Sequence, residues 1–265
     1  MIIRSERGRL RLITQHDHGV AAAELTDAWG GDEFHPPEAK AALRLATLVH
    51  DQGWQEWDAQ PRLQPETGRP YNFINMPIDE HLAIYERCIR LAAEQHPYAG
   101  LLVSLHGAGL YRNRYGHMPH LADKPVPEAD RARVDAFLAA QEALQREWLH
   151  DLHPDPQVLW THYRWLQCWD ALSVFVSLTC GSDRAGFVVG PVPRWPGGPE
   201  ADLKITGAGG STFSVAPWPF APRQVDLFLP VRYLPDRAYV SDAEFAEEYA
   251  AAPTQSLHVT LVPGA

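Results

Sequence analysis

The chain has 265 residues, 45% hydrophobic and 21% charged, enough for one large or two small domains with a sizeable core and incompatible with wholesale disorder. Lys and Arg number 23 against 33 Asp and Glu; the formal charge of -10 disfavours a protein that coats nucleic acid, whose affinity rests on neutralising phosphates. Three cysteines (Cys88, Cys168, Cys180) are too few and too scattered for a disulfide framework or a CxxC zinc clip, which fits a reducing compartment.

The start, Met1 to Arg7, breaks into charge at once and has no signal-like apolar stretch, and no apolar run approaches the roughly 20 residues of a membrane span. A cytoplasmic protein without membrane association is expected. Leu10, Leu12 and Thr14 alternate with Arg9, Arg11 and Ile13 after a Glu6-Arg7-Gly8 turn, which predicts a β-hairpin. Helical periodicity follows from about residue 16 to 185. His18, Ala22, Leu25 and Trp29 form one stripe that Gly30-Gly31 ends; Pro36-Pro37 opens a second helix, with Leu43, Ala46 and His50 on one face. Residues 59–77 read as a turn-rich loop. Asp79 is a candidate N-cap for a third helix to about Gln95, and a fourth runs from about Tyr98 to Leu110. After a loop from Asn113 to Pro127, helices are expected over Glu128–Leu152 and from Pro156 to about Leu178.

From Gly186 short alternating runs take over (202–206, 211–215, 225–233, 257–262), with one short helix near 242–251. The expected fold is mainly α. Residues 1–185 would form the helical domain and 186–265 a small antiparallel β appendage packed on it, its sheet completed by the amino-terminal hairpin.

Several polar residues occupy positions where the helical pattern wants apolar ones. His18 heads the first stripe, and His50, followed by Asp51, closes the second. His81 shares a face with Tyr85 and Cys88, and His106 shares one with Leu102, Val103 and Leu110. Asp170 lies on the stripe Tyr163, Leu166, Asp170, Val174. A lone inward histidine is usually a satisfied core residue. A buried ionised carboxylate is different, because without a partner it costs several kcal/mol or loses its charge. Arg, a protonated His or a metal could supply the partner, and one or two divalent ions of Zn, Mn, Fe, Ni or Co would satisfy imidazoles and carboxylates together.

The order His18, His50-Asp51, Asp170 on successive helices resembles the H…HD…D signature of the HD-domain superfamily of metal-dependent phosphohydrolases over about residues 16–180. Gln15-His16-Asp17 and His50-Asp51-Gln52-Gly53-Trp54 suggest an uncharacterised bacterial branch of that superfamily, a domain of unknown function. The resemblance implies an HD-type helical bundle in which His18, His50, Asp51 and Asp170 hold one metal. It also implies that His81 and His106 could hold a second, with Asp51 both bridging ligand and central catalytic residue. Many members have His-Asp-x-Gly-Lys. Trp54 stands in place of that lysine, either walling the pocket and stacking on a ring or packing beneath the following loop.

Arg112, Arg114 and Lys124, beyond the fourth helix, are either a clamp for phosphate or carboxylate or an exposed basic loop. His16 and Asp17 compete with His18 for the first ligand position, although helical phase favours His18. His162 lies about 80° off the face of Asp170.

The expected function is a metal-dependent hydrolase of a phosphorylated small molecule, a nucleotide among the candidates, with metal-bound hydroxide as nucleophile. A catalytically silent metal-binding or ligand-binding sensor and a di-iron oxygenase are the alternatives.

Overall fold

The computed structural model describes residues 1–122, 124–180 and 186–264. Strands β1 (Ile2–Glu6) and β2 (Arg9–Ile13) form the amino-terminal hairpin around Arg7 and Gly8, whose φ values of 49° and 75° provide the left-handed pair that a two-residue turn demands. Helix α1 (Gln15–Ala28) is capped by Thr14, whose hydroxyl accepts the amide of Asp17. Helix α2 (Lys40–Val49) leads through a tight turn at 52–54 into the short α3 (Gln55–Ala59). Then come α4 (Ile78–Gln95), α5 (Pro97–Gly109), α6 (Arg131–Leu152) and α7 (Pro156–Thr179). Pro77, not Asp79, stands at the N-cap of α4, and Asp79 lies in its first turn.

The remainder folds as β3 (Gly186–Pro193), β4 (Glu200–Gly209), β5 (Thr212–Ala216), β6 (Val225–Pro235), α8 (Asp242–Ala251) and β7 (Gln255–Pro263). All seven strands belong to one curled sheet in the order β1-β2-β6-β7-β5-β4-β3, antiparallel throughout except where β7 runs parallel to β5.

The mainly α, HD-type bundle with a small β appendage is therefore not the architecture that forms. The fold is mixed α/β, and the sheet is a principal layer. Helices α1 and α7 pack between this sheet and the remaining helices: α1 lies against β6, α7 against β1 and β3, and both against α2. A helix enclosed on all sides must be apolar nearly all round. α7 is buried on this pattern, every residue from Leu159 to Ser173 except Trp160 and Asp170 being buried, and its buried polar members His162, Arg164, Gln167 and Ser173 have hydrogen-bond partners in Tyr98, the Pro191 carbonyl, His106 and His18. The expected change of structure at 185/186 falls on residues 181–185, outside the described residues. One continuous core joins Ile2 of β1 to Trp54, Trp169 and Leu261 of β7.

The sheet also fixes α7 at both ends. Arg11 of β2 is buried and donates to the carbonyls of Ser177 and Cys180, each at 3.0 Å, and of Leu178 at 3.2 Å. These groups at the helix end have no partner within the helix, and a guanidinium suits the negative pole there. Toward the other end, Trp165 Nε1 donates to the carbonyl of Pro193 in β3 at 2.7 Å. On the opposite face of the sheet, Leu10, Leu12 and Leu234 pack against Phe245 and Tyr249 of α8. No helix among the described residues is long and apolar enough to cross a membrane. All three cysteines are buried free thiols.

Candidate functional site

Four side chains from three segments converge between α1, α7 and the end of α2. His18 projects from α1, His50 and Asp51 follow α2 directly, and Asp170 sits midway along α7. His18 Nε2 lies 3.0 Å from Asp51 Oδ2 and 3.9 Å from Asp170 Oδ1. His50 Nε2 lies 3.7 Å from Asp51 Oδ2 and 3.5 Å from Asp170 Oδ1. Close helix approach makes this possible: a Cβ on Gly19 would stand 3.2 Å from the carbonyl of Leu48 in α2. The turn carrying Asp51 is pressed equally hard against α4, since a Cβ on Gly53 would stand 2.5 Å from the carbonyl of Ile84.

The outer nitrogens of both imidazoles are committed. His50 Nδ1 donates to the carbonyl of Thr47 at 2.6 Å, one of the groups at the end of α2 without a helical partner. His18 Nδ1 meets Ser173 Oγ at 2.8 Å, and the Ser173 hydroxyl donates to the carbonyl of Asp170 at 2.8 Å, so His18 must be the donor in the first contact. Both Nε2 atoms therefore direct lone pairs toward carboxylate oxygens. Acceptor faces acceptor, an arrangement that repels unless a proton or a cation lies between. Among the described residues, His50 Nε2 is fully buried without a hydrogen-bond partner. The donor set consists of two imidazoles with backing hydrogen bonds and two carboxylates, and it fits a divalent transition ion.

The carboxylates are secured from outside. Asp51 Oδ1 accepts the Tyr85 hydroxyl at 3.0 Å, and Oδ2 accepts the Gln15 amide at 2.9 Å. Gln15 is itself held by its main-chain N–H, which donates to Asp58 at 2.7 Å. Burial alone would push the Asp51 carboxyl up, but the neighbouring His50 and His18 outweigh it and hold the group well below the usual carboxylate range. Asp170 is lowered in the same way, burial being overcome chiefly by His50 and His106. Burial opposes charging His50, yet Asp51, Asp170 and the Thr47 carbonyl together raise it to about 9.

His106 completes a second ligand group with His50 and Asp170, the three ligand atoms lying within 4.8 Å of one another. Its Nδ1 is 2.7 Å from Gln167 Nε2. With the amide donating, His106 presents Nε2–H to the site; with the amide turned, it presents a lone pair. Burial is the main reason its pKa falls to about 4.

A pocket of about 280 Å³ opens beside this cluster. Its polar lining is Gln15, Asp51, Tyr85, His106, Arg114 and Asp170, and its apolar lining includes Leu110, Val174, Phe175, Leu178 and Phe187. Arg114 reaches it from a run of left-handed residues, Asn113, Arg114 and Tyr115 having φ of 46°, 45° and 55°. A larger groove of about 710 Å³, lined in part by Leu45, Tyr98 and His162, lies away from the cluster.

The other sequence candidates stand elsewhere. His81 joins neither ligand group among the described residues; its Nδ1 contacts the Tyr111 hydroxyl at 2.5 Å, and burial pushes its pKa well down. Trp54 is fully buried, its ring 5.8 Å from that of His81, and does not line the pocket. Arg112 pairs with Glu142. Lys124 Nζ donates to the carbonyls of Phe73 and Ile74, at 3.1 and 2.7 Å, and burial lowers its pKa to about 8. His16 lines a separate pocket with Asp58 and Arg232, Asp17 completes the cap of α1, and His162 bonds Tyr98. Gln15, Tyr85, Ser173 and Gln167, which hold these side chains, carry no role in the sequence reading, although Gln15 belongs to the Gln15-His16-Asp17 tripeptide, Tyr85 shares the stripe of His81 and Ser173 lies one turn beyond Asp170.

In the metal-free protein the contribution of His50 to stability should fade as pH rises above about 6.5, because its pKa is raised from 6.5 to about 9. His106 and His162, both lowered to about 4, and His81, pushed well down, act in the opposite sense over the lower part of that range, and Lys124, lowered to about 8, over the upper part. The contribution is therefore read as a difference: in thermal melts in chelator the wild-type midpoint should fall relative to that of Asp51→Asn, which lacks the carboxylate that raises His50. Parallel profiles in the two proteins would contradict the assignment.

The profile of the family described as "Protein of unknown function (DUF3891)" matches residues 1–236. No curated protein and no solved structure matches the chain. The family match, together with the seven-stranded sheet, overturns membership of the HD-domain superfamily: the order His18, His50-Asp51, Asp170 occurs here in a different architecture. The chain belongs to the DUF3891 family.

Proposed function

We propose that the protein is a metal-dependent hydrolase of a small phosphorylated molecule, with one divalent ion held by His18, His50, Asp51 and Asp170. The observation that carries this reading is the set of cross-distances, 3.0 to 3.9 Å, between the two Nε2 atoms and the two carboxylate oxygens. Ligand atoms about 2.1 Å from a shared centre stand about 3.0–3.4 Å apart in octahedral or tetrahedral arrangement, a spacing that His18, His50 and Asp51 approach, while Asp170, which clusters with His50 and His106, would have to move toward them to complete the set. The position of His81 outside both ligand groups favours one ion over two.

A divalent ion at this point would lower the pKa of a bound water and polarise a phosphoryl oxygen. The chain's own residues do the rest. Gln15 and Tyr85 keep Asp51 from rotating, Ser173 and Thr47 keep the two imidazoles in the tautomer that offers Nε2 inward, and Arg114, which lines the same pocket, would bring positive charge to the phosphoryl group. In the reaction the water oxygen forms a bond to phosphorus, the ester P–O bond breaks, and the water protons are shared between the released alcohol and phosphate.

Loading the full chain with Mn²⁺ or Zn²⁺, followed by elemental analysis and a phosphate-release panel of monoesters, tests the reading. About one ion per chain with turnover of at least one ester is expected. Less than about a tenth of an ion per chain would overturn it. A loaded protein that releases no phosphate would be a binding module, not a hydrolase.

A further inference from the structure

Resting on that reading, we infer that the pocket takes the monoester of a compact apolar alcohol, of phenolic size, and excludes nucleotides. Volume sets the first limit. The pocket offers about 280 Å³, and a cavity of about 150 Å³ already accommodates a benzene ring, so a phenyl-sized body and one phosphoryl group fill the space.

The chemistry of the walls sets the second limit. The apolar lining includes Leu110, Val174, Phe175, Leu178 and Phe187. The rings of Phe175 and Phe187 stack at 5.1 Å and 15° and present carbon to the pocket. A nucleoside would bring ribose hydroxyls and base heteroatoms against these walls, where each would lose its water without gaining a partner. A phenyl or branched alkyl group loses nothing and buries its surface.

The third limit is the supply of positive charge. Of the three basic residues beyond α5, Arg112 is paired with Glu142 outside the pocket, and Lys124 spends its ammonium on the carbonyls of Phe73 and Ile74. Arg114, which also donates to the carbonyl of Gly109 at 3.4 Å, alone of the three lines the pocket. At most one guanidinium, already sharing its protons with the protein, together with one divalent ion falls short of a di- or triphosphate chain.

Calorimetric titration of the Mn²⁺-loaded full chain with phenylphosphonate, inorganic phosphate and AMP tests this directly, because phenylphosphonate resists hydrolysis and binding is read apart from turnover. Phenylphosphonate should bind at least about tenfold more tightly than either of the others. Val174→Trp, at a half-buried position on the pocket side of α7, should remove that advantage while leaving the metal content and the affinity for inorganic phosphate unchanged. AMP binding as tightly as phenylphosphonate, or phosphate doing so, would overturn the inference, as would an undiminished phenylphosphonate affinity in the folded variant. The wild-type comparison decides even if the variant does not fold. Metal content measured on the same samples separates the failures. A chain without metal ends both the hydrolase reading and this inference, whereas a loaded chain without the aryl preference ends this inference alone.

Discussion

Replacing Asp51 with asparagine should weaken metal binding at least about 100-fold, since the loss of a side chain that merely supports a ligand already costs about 10- to 100-fold. The substitution is nearly isosteric. Tyr85 can still donate to the remaining carbonyl oxygen, so the surrounding helices have no reason to move. What changes is charge and donor sense. The amide can present an N–H where Asp51 Oδ2 faces the Nε2 atoms of His18 and His50, at 3.0 and 3.7 Å. The variant should show wild-type helix content by circular dichroism and lose its metal on dialysis. Ser173→Ala, which frees His18 to rotate or change tautomer, should fall between the variant and the wild type. Full occupancy in Asp51→Asn would remove Asp51 from the ligand set.

The largest effect on stability should come from Trp29→Ala, at about 3–5 kcal/mol. Trp29 follows α1 and bridges to Phe220, which leads into the sheet. Its ring lies 5.3 Å from Phe34, 5.9 Å from Trp165, 5.5 Å from Trp169 and 5.7 Å from Phe220. One side chain thus joins the two enclosed helices to the β-rich portion, and truncation would open a cavity between layers that cannot close without separating them. For a chain of this size the melting temperature should drop by roughly 10 °C. Trp29 Nε1 has no hydrogen-bond partner among the described residues, so Trp29→Phe forfeits only volume and should recover a large part of the loss. Thermal denaturation of the two variants side by side makes the comparison, and equal destabilisation would mean that the indole contributes something other than packing.

The helices were legible because their apolar spacing and their terminal Pro, Gly and Thr residues act locally. The inward anomalies His18, His50 and Asp170 were legible for the same reason, a charge or ring where the core requires hydrocarbon. Height along a helix was not. His81 and Tyr85 share a face of α4, but one turn, about 5.4 Å, separates them, and it is Tyr85 that stands level with Asp51. Periodicity assigns a face and says nothing of which turn meets a neighbour. The sheet was underestimated for a related reason. β3, Gly-Phe-Val-Val-Gly-Pro-Val-Pro, has neither alternation nor the composition of an interior strand, and the pairing of β5 with β7 joins residues far apart in the chain. The apolar girth of α7 was the available clue, since a helix buried on every side needs a second layer to bury it.

The place of β7 has a consequence for biosynthesis. It alone connects β1-β2-β6 to β5-β4-β3, and it lies beyond residue 236, where the family match ends. Without residues 255–263 the sheet would present two unpaired rims, those of β6 and β5, on either side of the place that β7 fills. Such rims recruit any extended peptide within reach. A chain truncated before β7 should therefore aggregate as it is made.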